Sequence, residues 1–137
     1  MAFRWEEYFE LAKKINETFK GEAARRTVIS RVYYSMFCLA RDCICLKKLR
    51  YNVHSTVIKK LKEGGNGCSQ ENNRKDVRFI KAGGYLNKLR ELRIISDYKT
   101  DKEITEDDVV RALSLAEKIY NILVQVCPNL TRERSDS

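Results

Sequence analysis

Residues 22–48 contain neither glycine nor proline, and the middle of this stretch is apolar almost all round when it is drawn as a helix. A helix with apolar side chains on every face must be covered on several sides, because such a surface is not stable in water. Strand-like alternation is weak in the rest of the chain, whereas steps of three and four between apolar residues are frequent. The chain is therefore expected to be all-α, with several helices packed around this one.

Shorter stretches before and after the central helix also have helical patterns. In residues 3–20 the apolar side chains recur at steps of three and four, and Gly21 ends the pattern. Asn52 or Ser55 can cap a short helix that ends near Glu63. We therefore expect a first helix over residues 3–20 and a short third helix after the central one.

Two further long helices are expected in the second half of the chain. The fourth helix runs from about 74 to 96, with a Gly-Gly pair at 83–84 in its middle. This pair indicates either a break or the close approach of another backbone or a ligand, and tight helix packing is the leading interpretation. A fifth helix follows Thr105, which forms a capping-box pattern with Asp108, and Pro128 ends it.

Four long amphipathic helices and one short helix on short connections predict an antiparallel up-and-down four-helix bundle with an extra short helix. We expect one domain over residues 1–127 and a polar tail over 128–137. Residues 64–73 are the one connection with a loop-like composition, and we expect them to be mobile.

Composition argues against several classes of protein. No apolar run approaches the length of a membrane span, and the N-terminus is acidic and amphipathic, unlike a signal peptide. The five cysteines form no CxxC pair and there is one histidine, so we expect neither a metal nor another cofactor. Cys38 and Cys127 fall on apolar helix faces and are expected to pack as small, unpaired core side chains. A reduced, cytoplasmic protein is expected.

Positive charge is concentrated in the middle of the chain. The net charge is +8, with +7 on residues 21–63 and +4 on residues 64–100, whereas residues 101–137 carry −3. Basic helices suit a partner that carries phosphates, because Lys and Arg contacts release its counterions. A solvated basic face would give the same count, so charge favours a nucleotide or RNA partner without requiring one.

Arg31 stands out because it lies in the most apolar part of the central helix. A buried guanidinium needs a carboxylate or several hydrogen-bond partners. On the fourth helix, Arg90, Arg93 and Asp97 follow one another at steps of three and four, so Asp97 can pair with Arg93 or reach across to Arg31. Two interpretations stay open: a buried Arg–Asp pair that pins two helices, or a polar cleft between helices two and four that binds phosphate.

His54 is the single histidine and lies at the entrance of the short helix. A capping or surface role is one interpretation. The other is general acid or base catalysis at a ribose 2′-hydroxyl, with Arg31 steadying the phosphate.

Three blocks in order resemble the HEPN domain family: SRVYYSMFCLARDCI, VHSTVIKKL and GGYLNKLRELRIISDY. The family's sequence pattern is an Arg followed by an aromatic pair and a Met-Phe dipeptide, then a His-Ser dipeptide, and then Arg-x-x-x-Asp-Tyr. Its residues stand here at Arg31, Tyr33-Tyr34, Met36-Phe37, His54-Ser55, Arg93, Asp97 and Tyr98.

The resemblance implies a helical bundle, often a homodimer, that associates with a nucleotide or RNA. It also implies a nucleotidyltransferase partner, as in toxin–antitoxin pairs. By position, it implies a nucleotide- or phosphate-binding site at Arg31, Tyr34, His54, Arg93, Asp97 and Tyr98.

Some relatives are metal-independent ribonucleases, with an Arg and a His separated by four to six residues on one helix. Here only three residues separate Arg50 from His54, and Arg41 is too distant, so the nuclease motif is not matched. The alternatives to a binding protein are a metal-independent ribonuclease that uses His54 and Arg31, and a non-catalytic protein–protein interaction module.

Overall fold

The computed structural model describes residues 2–65, 75–128 and 130. In this part of the chain there are five helices and no strand: α1 (Glu6–Thr18), α2 (Glu22–Cys43), α3 (Val53–Lys62), α4 (Val77–Tyr98) and α5 (Glu106–Val126). The predicted all-α bundle with an extra short helix is confirmed. Residues 66–73 of the expected mobile connection, and residues 129 and 131–137 of the expected tail, lie outside the described residues.

The central helix α2 holds the bundle together, because α1, α4 and α5 all pack against it, while α3 packs mainly on α4. Half of the residues of α2 are buried, as its nearly continuous apolar surface predicts. Within the described residues α1 and α4 do not contact each other. On the strip of α2 between them, Thr27 is exposed and Ser30, Arg31 and Tyr34 are half-buried. No described helix is long and apolar enough to cross a membrane.

α2 ends at Cys43, several residues before the expected end at 48. Cys45 has a φ of 59°, in the left-handed region, where a helix cannot continue. The N–H groups of Cys45 and Leu46 then bond to carbonyls in the last turn of α2. Without a glycine or proline at this point, the sequence has no signal for the stop.

Cys43 and Cys127 form a disulfide, with 5.8 Å between their Cα atoms, which ties the end of α2 to the end of α5. The expectations of an unpaired Cys127 and of a fully reduced chain are therefore wrong. Helical periodicity places each cysteine on an apolar face but does not show that two helix ends meet. Cys38 is a free thiol in the core, as expected, and burial raises its pKa to about 11.

The side chain of Arg26 on α2 anchors the end of α4 and the connection to α5. Its guanidinium donates to four carbonyl oxygens and pairs with the Glu22 carboxylate one turn earlier, at 2.7 Å. The four acceptors are the carbonyl oxygens of Ile95, Ser96, Lys99 and Lys102. The capping box predicted at Thr105 and Asp108 then starts α5.

The glycine pair at 83–84 does not break α4. A Cβ added at Gly83 would lie 2.9 Å from the Cβ of Leu61 and 3.0 Å from the backbone nitrogen of Lys62, both on α3. A Cβ added at Gly84 would meet nothing within 4 Å. The interpretation as tight helix packing is confirmed, and it applies to Gly83 alone.

Alanine at the two glycines is expected to change stability in opposite directions. Gly83→Ala should lower the free energy of unfolding by about 1–3 kcal/mol, because α3 must move away from α4. Gly84→Ala should raise it by about 0.5–1 kcal/mol through the better helix propensity of alanine. Urea unfolding of the two variants measures this difference, and a shift of the same sign in both would contradict the packing described here.

Candidate functional site

Side chains from three helices meet where the first turn of α3 approaches α2 and α4. We call this group the His54 cluster: Tyr33, Phe37, His54, Arg90 and Arg93. The Tyr33 hydroxyl lies 2.7 Å from His54 Nδ1. The imidazole stacks on the ring of Phe37, with 4.2 Å between the ring centroids. The Arg93 guanidinium carbon is 5.7 Å from the centre of the Tyr33 ring.

The helical period explains why these residues meet. Tyr33 and Phe37 are four residues apart on α2, and Arg90 and Arg93 are three apart on α4, so each pair lies on one face. His54 is the second residue of α3, whose N-cap Asn52 has a left-handed φ of 50°. The chain therefore turns sharply just before His54 and directs its ring at α2.

The surroundings of His54 keep its imidazole neutral. Burial lowers the pKa of His54, and the positive charges of Arg93 and Arg90 lower it further. Tyr33 is only 1% exposed, and burial raises its pKa well above the ordinary value. At neutral pH a protonated phenol therefore faces a neutral imidazole.

The two arginines of the cluster differ in how their charge is compensated. Arg93 pairs with the Asp97 carboxylate at 2.9 Å, and Asp97 also accepts a hydrogen bond from Ser30 at 3.3 Å. Arg90 has no ion pair among the described residues, and its Nε is buried without a hydrogen-bond partner. The uncompensated positive charge of the cluster is therefore on Arg90.

The pH dependence of stability should reflect the lowered pKa of His54. As the pH falls through the ordinary histidine value of about 6.5, the unfolded chain takes up the proton before the folded one does. Stability present above that pH is therefore lost as the pH falls toward the folded pKa. We expect the wild type to lose more stability than His54→Gln between pH 7 and pH 5, as measured by urea unfolding. Equal losses would contradict the neutral state of His54.

Arg31 and Tyr34 do not belong to the His54 cluster. Arg31 is two residues before Tyr33, about 200° around the helix, so it faces α1 while Tyr33 faces α3 and α4. Its guanidinium carbon lies 5.2 Å from the ring centres of both Tyr8 and Tyr34. The expected alternative of an Arg31–Asp97 pair is wrong, because Asp97 pairs with Arg93.

The structure thus brings together four of the six predicted site residues. His54 and Arg93 are in the cluster, Asp97 is bonded to Arg93, and the Arg93 guanidinium carbon is 5.5 Å from the ring centre of the exposed Tyr98.

Three members of the cluster were not among the predicted site residues: Tyr33, Phe37 and Arg90. The sequence did indicate Arg90, because it lies one turn before Arg93 on the same face of α4.

The chemistry of the cluster is that of an anion site with aromatic walls. Its arginines and the imidazole can donate hydrogen bonds to phosphate oxygens, and the exposed ring of Tyr98 beside Arg93 offers an apolar face. Among the described residues, no group of His, Cys, Asp and Glu side chains is arranged to hold a metal ion.

A model of the HEPN domain family matches residues 6–127 of the chain, a span that includes all five helices. The comparisons with curated proteins and with solved structures found no match. The family match supports a nucleotide- or RNA-related role for the fold that carries the His54 cluster.

Proposed function

Because the chain belongs to the HEPN domain family, we propose that it binds the phosphate groups of a nucleotide or RNA at the His54 cluster. The observation that carries this proposal is the Arg90 guanidinium, which no carboxylate of the described residues neutralises. A partly buried positive charge without a partner is costly, and an anionic ligand would supply the missing partner. A guanidinium can hold two phosphate oxygens at once, which favours phosphate.

The rest of the surface suits an oligonucleotide. Tyr98 is 65% exposed, and its ring is close enough to Arg93 for a base to stack beside a bound phosphate. On the α1 side of the half-buried strip of α2, the Arg31 guanidinium lies beside the rings of Tyr8 and Tyr34. We propose that these residues contact a second part of a bound RNA strand.

The binding proposal is tested by titrating the protein into a labelled single-stranded RNA and a labelled nucleotide at several salt concentrations. Saturable binding that weakens with salt is expected, because each phosphate contact of a single strand contributes a slope of about −0.7 in log K against log salt. Absence of saturable binding to both probes, or binding that salt leaves unchanged, would remove the proposal.

We extend this proposal to the assembly in which the protein works. Family membership supports a homodimer that acts with a nucleotidyltransferase partner, in the manner of a toxin–antitoxin pair. A cytoplasmic location is part of the same proposal. Light scattering at several protein concentrations tests the dimer. Co-purification with a nucleotidyltransferase encoded next to it tests the partner.

A metal-independent ribonuclease is the second candidate function, favoured by the neutral His54 beside two guanidinium groups. The expected catalytic pair of His54 and Arg31 is not supported, because Arg31 contacts Tyr8 and Tyr34 instead of His54. In excess chelator we expect neither the wild type nor a folded His54→Ala variant to cleave RNA at high protein concentration. Cleavage by the wild type alone would replace the binding proposal with the ribonuclease.

A further inference from the structure

The two ring nitrogens of His54 have different environments. Nδ1 points inward to the hydroxyl of Tyr33, which is almost fully buried. The imidazole as a whole is partly buried, and Nε2 forms no hydrogen bond with the described residues. Nε2 is therefore the nitrogen that a ligand in the cluster can reach.

The position of the proton follows from the hydrogen bond at Nδ1. The Tyr33 hydroxyl has no other hydrogen-bond partner among the described residues. If Nδ1 carried the proton and donated it to Tyr33, the phenolic proton would be left in the core without an acceptor, which is costly. If Tyr33 donates to Nδ1, both buried groups are satisfied and the proton of the neutral imidazole lies on Nε2.

A doubly protonated imidazole is disfavoured by the same surroundings. The charged groups that face His54 are Arg90 and Arg93, both on α4, and the group that faces it from α2 is the protonated phenol of Tyr33. The nearby carboxylate of Asp97 is already paired with Arg93. Burial and the two positive charges lower the pKa of His54, so the neutral ring is the resting form.

We propose that Tyr33 is a positioning residue whose hydroxyl holds neutral His54 with its proton on Nε2, so that the site presents an N–H donor to an anionic oxygen. The anionic ligand rests on the proposed function, whereas the Nε2–H tautomer of His54 follows from the hydrogen bond to Tyr33 alone. In this form His54 can donate to a phosphate oxygen beside Arg90, but its outward nitrogen has no lone pair to remove a proton from a ribose hydroxyl. The resting site is therefore built to bind an anionic oxygen, and neither to take up nor to release a proton.

The tautomer can be measured directly because His54 is the single histidine of the chain. Long-range ¹H–¹⁵N correlation of the imidazole at about pH 8, above the ordinary histidine pKa, should show a protonated Nε2 and an unprotonated Nδ1 in the wild type. Tyr33→Phe keeps the ring that stacks on the imidazole and removes the hydroxyl, so the two nitrogen shifts should move toward each other as both tautomers become populated. Tyr120→Phe, on the half-buried tyrosine of α5, is the matched control and should leave them unchanged.

A protonated Nδ1 in the wild type, or an unchanged tautomer in a folded Tyr33→Phe variant, would overturn the role of Tyr33. If Tyr33→Phe does not fold, the wild-type spectrum alone decides.

Adding single-stranded RNA to the wild type separates this inference from the proposed function. A shift of the Nε2 signal is expected. An Nε2–H tautomer with no response to RNA would end the binding proposal alone, and an Nδ1–H tautomer with saturable RNA binding would end the inference alone.

Discussion

Replacing Arg90 with glutamine is expected to weaken RNA binding by about ten- to a hundredfold, the loss typical of a hydrogen-bonded charge contact worth about 1.5–3 kcal/mol. Arg90 is the informative position because it has no ion pair among the described residues. Its removal leaves no carboxylate without a partner and is expected to leave the fold intact. Arg93→Gln would be harder to interpret, because it would remove a phosphate contact and also leave the Asp97 carboxylate without its ion pair.

The matched control for Arg90→Gln is Lys88→Gln, which removes one positive charge from an exposed position on the same helix. Anisotropy titrations of the same labelled RNA should show a loss of affinity several times larger for Arg90→Gln. The salt slope should also become shallower by about 0.7 in that variant, as expected for one lost phosphate contact with a single strand. Equal losses in the two variants would show that the overall positive charge binds the RNA and that the His54 cluster has no special part in it.

The helices were predictable because the signals that define them are local. The capping box at Thr105 and Asp108 and the stop at Pro128 depend on residues a few positions apart. The packing role of Gly83 was one of the interpretations that local sequence allowed, but the choice between Gly83 and Gly84 depends on where α3 lies. The disulfide between Cys43 and Cys127 also depends on the meeting of distant helix ends.

The site was predictable only in part, because sequence gives the direction of a side chain relative to its own helix and not the identity of its neighbours. Arg31 was singled out since its helix has little polar surface, but its place in the structure is over two tyrosine rings. Tyr33 was visible as half of an aromatic pair, but its role comes from one hydrogen bond to a residue 21 positions away, which local sequence does not show. Arg90 was visible as part of a stripe on α4, whereas its lack of a carboxylate partner is a property of the assembled bundle.

The second large effect is expected at Arg26, where replacement by methionine should lower the free energy of unfolding by about 3 kcal/mol or more. Methionine keeps much of the aliphatic stem and removes the guanidinium. The last carbonyls of a helix lack the regular helical partners, and Arg26 donates to that of Ser96. It also gives a second hydrogen bond to the carbonyl of Ile95, which already accepts the N–H of Lys99. It also bonds to the carbonyls of Lys99 and Lys102, so one side chain joins the end of α4 to the first half of the connection. The second half is held separately, by the bond from Arg25 to the carbonyl of Ile104.

The position of the His54 cluster depends on this anchor, because Arg90 and Arg93 lie within two turns before the anchored carbonyls of α4. Urea unfolding of Arg26→Met should be compared with that of Arg111→Met, which removes an exposed arginine from α5 and should cost less than about 0.5 kcal/mol. A similar small loss at Arg26 would mean that water replaces the guanidinium at the end of α4. If the large loss is found, RNA affinity of the folded Arg26→Met protein should also fall, since the end of α4 is then free to move relative to His54 on α3.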